Sequence, residues 1–151
     1  MDNNYKYEIA GKRIFVAGHR GLLGSSISRR LELEDVEILT ASKQELDLTR
    51  QTDVETWMET SKPHAVIIAA GKVGGIYSNS HFPADFIYQN TAIELNLINA
   101  SYLSGIEKLV MLGSSCTYPK MADQPIKESA LMEGKPEITN QWNSVAKLTG
   151  I

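Results

Sequence analysis

The sequence predicts an α/β fold built on a doubly wound parallel sheet, and three observations support this prediction. Short apolar segments alternate with segments whose apolar residues recur at helical spacing, which is typical of parallel strands joined by helices. Residues 14–17 and 65–70 are almost entirely apolar, as expected of strands covered on both faces. Glycines at three-residue spacing follow the first of these segments, where a strand would turn into a helix.

The first half of the chain predicts strands and helices in alternation, after a loosely held leader at 1–11. The expected strands cover 12–17 and 36–40, the expected helices cover 22–33 and 51–60, and a turn at 41–48 ends in a short third strand. Apolar residues on one side mark both helices, and Pro63 ends the second. These residues are Leu23, Ile27 and Leu31 in the first helix, and Val54, Trp57 and Met58 in the second.

The second half continues the pattern after the strand at 65–70. A flexible loop at 71–77 precedes a long helix at 83–104, which Gly105 ends. The next strand is expected at 107–113. Residues 120–140 hold three of the five prolines and no apolar periodicity, so they predict a loop, and a substrate lid is one role for it. A last helix begins near Trp142.

The helix at 83–104 is apolar on two sides, which means that both sides need cover. One side is expected to pack on the sheet. The other is expected to meet a partner subunit, which predicts a homodimer through this helix; cover by a later segment of the same chain is the alternative. The first side carries Phe86, Ile93, Leu97 and Ala100, and the second carries Tyr88, Leu95, Ile98 and Tyr102.

The glycines Gly18, Gly21 and Gly24 predict a dinucleotide-binding turn of a Rossmann-like fold. In such a turn one glycine permits the tight bend, one lets a pyrophosphate approach the backbone, and one lets the helix pack closely on the strand. The pyrophosphate would rest on free amides at the start of the helix, near Leu22. A plain tight turn is the alternative, and the flanking strand and helix favour the binding site.

The composition narrows the class of protein. A length of 151 residues suits one domain with its own core, and 42% hydrophobic residues are ordinary for a globular chain. A net charge of −3 without a basic run gives no reason to expect nucleic acid. Neither a membrane-spanning segment nor a signal peptide is evident, no metal site is expected, and the single cysteine suits a reducing compartment, so we expect a cytoplasmic protein.

The end of the second predicted strand favours NADP(H) over NAD. NAD sites usually place a carboxylate about 20 residues past the glycines, where it binds the ribose hydroxyls. No carboxylate stands at the tip of this strand, and Arg20 and Lys43 would accommodate a 2′-phosphate. Lys43 as an ordinary surface lysine is the alternative. Asp47 and Leu48 are expected to border the adenine.

Four motifs resemble the GDP-L-fucose synthases, a branch of the extended short-chain dehydrogenase/reductase family. They are Ala17-Gly-His-Arg-Gly-Leu-Leu-Gly24, Ala69-Ala-Gly-Lys-Val-Gly-Gly75, Pro83-Ala-Asp-Phe-Ile-Tyr-Gln-Asn90 and Leu112-Gly-Ser-Ser-Cys-Thr-Tyr-Pro119. The resemblance implies an NADPH-dependent epimerase and reductase that acts on a GDP-4-keto-6-deoxy sugar. It also places Ala69 and Ala70 beside the cofactor.

The resemblance assigns chemical roles to three residues. Ser114 would donate a hydrogen bond to the keto oxygen, and Cys116 would take part in the proton transfers of epimerisation. Lys147 would hold the cofactor ribose. From the residues alone, Ser114 is more simply a turn cap and Cys116 a small buried side chain.

The sequence departs from the family pattern in two ways. The family has Tyr-x-x-x-Lys before Lys147, but Asn143 stands at the tyrosine position, and an amide has no proton to give at neutral pH. Family members are about twice as long, so the sheet is expected to be incomplete at its carboxyl end, with the cofactor domain at 12–151 and the carboxyl-terminal substrate domain absent. His19, His64 and His81 do not match the family's histidine, and the last two are expected at the surface.

Three interpretations therefore stay open. The first is an enzyme by descent with weak or absent turnover. The second is a non-catalytic NADP(H)-binding module that pairs with a full-length homologue. The third is a truncated product without a function of its own.

Overall fold

A four-stranded parallel sheet forms the centre of the protein. The structure, a computed structural model, describes residues 6–151. The strands lie in the order β2-β1-β3-β4, and every neighbouring pair is parallel. They are β1 (Lys12–Ala17), β2 (Val36–Leu39), β3 (Ala65–Ile68) and β4 (Lys108–Met111).

Five α-helices accompany the sheet within residues 6–151, and they confirm the predicted α/β class. Three short 3-10 helices lie in the stretch between β4 and the last α-helix, at Ser115–Thr117, Glu128–Ala130 and Ile138–Asn140. The α-helices are α1 (Leu22–Leu31), α2 (Gln51–Ser61), α3 (Ile76–His81), α4 (Pro83–Leu103) and α5 (Gln141–Leu148). Pro83 stands in the first turn of α4, where its missing N–H costs nothing.

Strand β1 divides the core between the two faces of the sheet, because successive side chains of a strand point to opposite sides. Phe15 and Ala17 pack with residues of α2 and α4, including Met58 and Leu97. On the other face, Ile14, Val16 and Ala65 pack with Leu31 of α1. The sheet is therefore covered on both faces, as a doubly wound fold requires.

The turn at 41–48 contains no strand, contrary to the prediction. The Ser42 carbonyl oxygen accepts the amides of Glu45 (3.1 Å) and Leu46 (2.9 Å), and the Glu45 carboxylate accepts the Ser42 amide (2.7 Å). These bonds use the backbone groups that a strand would offer to a neighbour. Leu46 is buried and Leu48 half-buried against the core, so their alternation reflects packing of a turn.

The flexible loop predicted at 71–77 overlaps only the first two residues of helix α3, and no element was predicted for 78–81. The segment lacks apolar periodicity, and its first turn is instead held by a buried side chain. The Asn79 amide nitrogen donates to the carbonyl oxygens of Gly74 (2.9 Å) and Gly75 (3.2 Å). Other bounds shift less: α1 ends two residues earlier than predicted, and β3 and β4 are shorter than predicted.

The described part of the predicted leader is attached to the domain. Residues 1–5 lie outside the described residues. Tyr7 and Ile9 pack beside the core on the α1 face, and the Gly11 amide donates to the Asp35 carbonyl oxygen at 2.7 Å. Tyr7, Ile9 and Gly11 therefore contact the rest of the domain.

Helix α4 is covered by the sheet side and by α5, and it leaves a third side open. Phe86, Leu97 and Ala100 are buried, as predicted. Ile98, which was expected on the opposite side, packs against the core instead. Tyr88, Leu95 and Tyr102 remain exposed at 68%, 47% and 83%.

We predict that Gly24→Ala strongly destabilises the fold. A Cβ at this position would overlap the Gly18 carbonyl oxygen and lie 2.7 Å from the Gly18 carbonyl carbon, so either α1 or the turn has to move. Overpacking of this kind costs about 1–3 kcal/mol of unfolding free energy or more. Urea denaturation followed by circular dichroism measures it. Gly113→Ala is the control, because a Cβ there meets nothing within 4 Å; equal stability of the two variants would contradict the prediction.

Candidate cofactor and catalytic site

The three glycines of the turn have different surroundings, and each matches one of the tasks that a dinucleotide turn needs. Gly18 has φ of +88°, and a Cβ on it would lie 2.6 Å from the Ala70 backbone. Gly24 has no room for a Cβ against the Gly18 carbonyl group. Gly21 is open, since its nearest neighbour would be 3.4 Å from a Cβ. The turn therefore bends at Gly18, packs at Gly24 and leaves its backbone accessible at Gly21.

A cleft of about 530 Å³ lies between the glycine turn, the turn after β2 and the end of β3. It brings together eight residues that were predicted to bind a cofactor: Gly18, Arg20, Gly21, Lys43, Asp47, Leu48, Ala69 and Ala70. Three other predicted residues, Leu22, Gly24 and Lys147, do not line it. Helix α4 contributes Gln89 and Ile93, neither of which was predicted to bind a cofactor.

The turn after β2 carries both charge signs. Arg20 and Lys43 are exposed and line the cleft. The hydrogen bonds from Ser42 hold the pKa of the Glu45 carboxyl below its usual range, and the charges of Arg20 and His19 act in the same direction. A carboxylate thus stands near Arg20 although none stands at the tip of β2.

Asp47 is engaged within its own turn. Its Oδ1 accepts the Thr49 amide (3.0 Å) and the Thr49 hydroxyl (2.7 Å). These two bonds, the hydroxyl first, hold the pKa of the Asp47 carboxyl below its usual range. Asp47 therefore shapes the wall of the cleft as an ionised group.

Ser114 and Cys116 lie in the segment after β4, where the chain forms the 3-10 helix Ser115–Thr117. The Ser114 hydroxyl accepts the Cys116 amide at 3.3 Å, so it caps this helix, as the simpler interpretation proposed. Cys116 is half-buried. The 3-10 helix packs against α5, which carries Asn143 and Lys147.

Asn143 is tied to α4 through Asn90, which is only 1% exposed. The Asn90 Nδ2 group donates to Asn143 Oδ1 (2.9 Å) and to the Lys72 carbonyl oxygen (3.0 Å). Asn90 Oδ1 accepts the Lys72 amide. Asn90 therefore joins a loop residue of the cleft wall to the residue at the family's tyrosine position.

Lys147 forms an ion pair with Glu94 of α4. Its Nζ lies 2.6 Å from Glu94 Oε1, and the two side chains are 13% and 1% exposed. Burial raises the pKa of the Glu94 carboxyl, and the opposing effect of Lys147 does not offset it. The ammonium of Lys147 is thus held at the junction of α4 and α5.

The three histidines have different settings. His81 is exposed and stacks on Tyr77, with ring centroids 3.9 Å apart. His64 was expected at the surface but is half-buried, and its Nδ1 accepts the Arg13 amide at 2.9 Å. His19 Nδ1 is buried without a hydrogen-bond partner among the described residues. Residues 6–151 contain neither a cluster of three metal-ligating side chains nor a helix long and apolar enough to cross a membrane.

The comparison with known families decides the classification. A sequence profile described as the NAD dependent epimerase/dehydratase family matches residues 14–151. The chain belongs to this family.

Individual relatives from this family give the likeness more detail. The chain is 57% identical over 145 residues to a GDP-L-fucose synthase of Sinorhizobium fredii. The aligned residues cover 96% of this chain and 46% of the relative. It is 47% identical to GDP-L-fucose synthase of Escherichia coli K12, and the aligned residues cover 93% of this chain and 44% of that relative. The chain thus spans a little under half the length of these two relatives.

Solved structures of similar proteins agree with this fold. A GDP-D-glycero-L-gluco-heptose synthase from Campylobacter jejuni, solved in the presence of NADPH, matches with a TM-score of 0.90 and 33% identity, over 96% of this chain and 43% of that one. A GDP-L-fucose synthetase from Naegleria fowleri bound to NADP matches with a TM-score of 0.83 and 27% identity, over 91% of this chain and 45% of that one.

Sequence reasoning missed the two α4 residues that contact α5 in this epimerase-family chain. Asn90 and Glu94 stand four residues apart, as do Asn143 and Lys147, and this common spacing was the available signal. It became informative only once α4 and α5 were known to pack together.

The pH dependence of stability should reveal the cost of burying Glu94. Because its pKa is raised, the folded chain takes up this proton at a higher pH than the unfolded chain. The contribution of Glu94 to the unfolding free energy is then present at low pH and is lost as pH rises through the folded pKa. We expect the unfolding free energy of the wild type, relative to Glu94→Gln, to increase between about pH 7 and about pH 5.

Urea denaturation at each pH measures this difference. Glu137→Gln is the control with the opposite sign, because the hydrogen bond from Lys120 holds the pKa of the half-buried Glu137 below its usual range. A wild-type advantage over Glu94→Gln that shrinks on acidification would mean that Lys147 outweighs the burial of Glu94.

Proposed function

We propose that this chain binds NADP(H) in the cleft, as the cofactor-binding part of an epimerase/reductase of the GDP-L-fucose synthase type. The observation that carries the proposal is the convergence of eight residues, selected from the sequence alone, on one cleft beside an open glycine turn. Gly21 offers accessible backbone for a pyrophosphate, and the first amides of α1 follow it.

The charges around the cleft support NADP(H) rather than NAD. Arg20 and Lys43 supply two cations for a 2′-phosphate. Glu45 stands near Arg20, but its carboxylate is occupied by the Ser42 amide at 2.7 Å. A carboxylate used in this way is less available to the ribose hydroxyls that an NAD site binds. The NADP and NADPH found with similar structures point in the same direction.

The catalytic roles concern a GDP-4-keto-6-deoxy sugar as substrate. When bound, the cofactor supplies hydride to the ketone of this sugar. Ser114 would donate its hydroxyl proton to the keto oxygen, and this donation is compatible with the capping bond, in which its oxygen is the acceptor. Cys116 would exchange protons beside the ketone, and Lys147 would direct its ammonium at the cofactor ribose.

Asn143 is the reason for proposing weak or absent turnover. Reduction of a ketone needs a proton at the oxygen, and a side-chain amide does not provide one at neutral pH. The Asn143 oxygen is also occupied as the acceptor of Asn90. Loss of a general acid typically slows a reaction on the order of 100- to 10,000-fold.

A second candidate is a non-catalytic module that pairs with a full-length homologue, or with its own copy, through α4. Tyr88, Leu95 and Tyr102 support it, because they recur every seven residues and form one exposed apolar stripe. The stripe lies away from the sides that the core and α5 cover. Both candidates suit the cytoplasm, which we retain as the proposed location.

Cofactor titration tests the principal proposal. We expect the wild-type chain to bind NADPH more tightly than NADH by isothermal titration calorimetry. Lys43→Ala should weaken NADPH binding by about tenfold, the size of one modest charge-assisted hydrogen bond, and leave NADH binding unchanged. Arg29→Ala is the matched charge control, since Arg29 is exposed in the last turn of α1 and outside the cleft. Absence of NADPH binding at millimolar concentration would remove the proposal.

Turnover is tested with two variants at position 143 whose new side chains differ only in one hydroxyl group. We expect NADPH oxidation by the wild type with the GDP-4-keto-6-deoxy sugar to be at least about 100-fold slower than by an intact synthase assayed alongside. Asn143→Tyr should exceed Asn143→Phe by about tenfold or more, because only the tyrosine carries an acidic proton. Equal rates would favour the non-catalytic module, and a wild-type rate near that of the intact enzyme would refute the role of Asn143.

Pairing through α4 is tested by placing charged side chains in its exposed apolar stripe. Tyr88→Lys combined with Tyr102→Lys should convert a dimer to a monomer, or abolish co-purification with an intact synthase, because like charges would face each other across the stripe. Leu33→Lys and Met121→Lys are controls at exposed apolar positions outside α4. Sedimentation velocity gives the mass, and a wild-type chain that is monomeric and does not bind the synthase contradicts this candidate.

A further inference from the structure

A buried carboxylate in the middle of α4 has no role in the function proposed above. Glu94 is 1% exposed, whereas nearly all glutamates of soluble proteins reach water. Isolated burial of a carboxylate is costly unless a cation and hydrogen bonds compensate for it. The cation here is the ammonium of Lys147, at 2.6 Å.

Glu94 belongs to one of two side-chain contacts between α4 and α5, which we call rungs. Asn90 contacts Asn143, and Glu94 contacts Lys147. Glu94 follows Asn90 by four residues on α4, and Lys147 follows Asn143 by four residues on α5. The two contacts are therefore about one helical turn apart, and α4 and α5 run in the same direction. One rung is neutral and the other ionic, and together they fix the register of α5 on α4.

The chain closes over the ionic rung. A Cβ on Gly150 would lie 3.0 Å from Glu94 Oε2 and would overlap Met111 Sδ. The backbone at Gly150 and the Met111 side chain therefore shield the carboxylate from solvent. Lys147 retains 13% exposure of its side chain, so it is the member of the pair that faces outward.

The contact with Glu94 restrains the Lys147 ammonium but does not use all of its N–H donors. A lysine ammonium has three N–H donors, and the ion pair with the single oxygen Oε1 of Glu94 does not use all of them. A lysine side chain otherwise loses up to about 2 kcal/mol of conformational entropy when a ligand orders it. The contact with Glu94 orders this side chain before any ligand arrives, which is the preorganisation that favours binding.

We propose that Glu94 is a positioning residue, which holds the Lys147 ammonium at the junction of α4 and α5 and sets the affinity for NADP(H) through Lys147. This inference rests on the proposed cofactor function. It assigns Glu94 no contact with the cofactor, so its effect on binding disappears when Lys147 is absent.

The first test measures Lys147 itself, without cofactor. The folded wild-type chain is treated briefly with acetic anhydride, and acetylation at each lysine is quantified by mass spectrometry. We expect Glu94→Gln to raise acetylation of Lys147 at least about threefold and Glu94→Leu at least about tenfold, because the amine loses the anion that restrains it. Lys72, which pairs with Asp85 at 2.9 Å, should be unchanged.

Glu137→Leu is the matched control, because Glu137 pairs with Lys120 at 2.7 Å in a more exposed setting. It should raise acetylation of Lys120 and leave Lys147 unchanged. Unchanged acetylation of Lys147 in Glu94→Gln, or an equal rise at all lysines, overturns the proposal. Glu94→Gln keeps this test decisive if the leucine variant does not fold.

The second test is a double-mutant cycle on the NADPH dissociation constant. Lys147→Met and Glu94→Leu should each weaken binding by about tenfold, and the double variant should be no weaker than Lys147→Met alone. Glu94→Gln, which keeps an oxygen acceptor, should retain binding within about threefold. Additive losses, or a Glu94→Leu chain that binds like the wild type, contradict the proposal. A wild type that binds no NADPH refutes the proposed function, while acetylation still decides whether Glu94 holds Lys147.

Discussion

The buried amide of Asn90 is the contact on which the geometry of the site depends. Its three hydrogen bonds hold the backbone of Lys72 on one side and Asn143 on the other. The loop after β3 lines the cleft, and α5 carries the residues predicted to act in catalysis. One side chain therefore fixes the distance between the wall of the cleft and α5. A buried network of this kind has to be fully paired, because an unpaired amide at such a site costs about 1–3 kcal/mol.

This constraint gives a physical meaning to Asn143. An amide at this position accepts the hydrogen bond that Asn90 offers, and the neutral rung is complete. The residue at the family's tyrosine position thus satisfies a buried donor in the structure. The second rung is less well balanced, since the raised pKa of Glu94 shows that Lys147 does not fully offset the burial of the carboxylate. Buried ion pairs often cost stability and fix geometry, and the α4–α5 junction fits this description.

The sequence was sufficient wherever one local pattern determined the structure. The glycine turn is such a case, because Gly18, Gly21 and Gly24 are each required by backbone contacts within a few residues or with the neighbouring strand. The cleft residues followed from it, since the ends of adjacent parallel strands meet at the same edge of a sheet. The turn at 41–48 was predicted less well, because a side chain of the turn, Glu45, competes with a strand for the Ser42 amide.

The predicted catalytic segment needed more than local pattern, because the Asn90–Asn143 contact joins residues 53 positions apart. Nothing near Glu94 marks it as buried, and its charge argues for solvent. Only the packing of α5 on α4 shows that a cation lies above it. The same packing explains why α4 has one open side: α5 covers the polar side with Asn90 and Glu94, so the stripe of Tyr88, Leu95 and Tyr102 is left for a different surface. The polar side of α4 thus packs against α5, and its apolar stripe stays exposed.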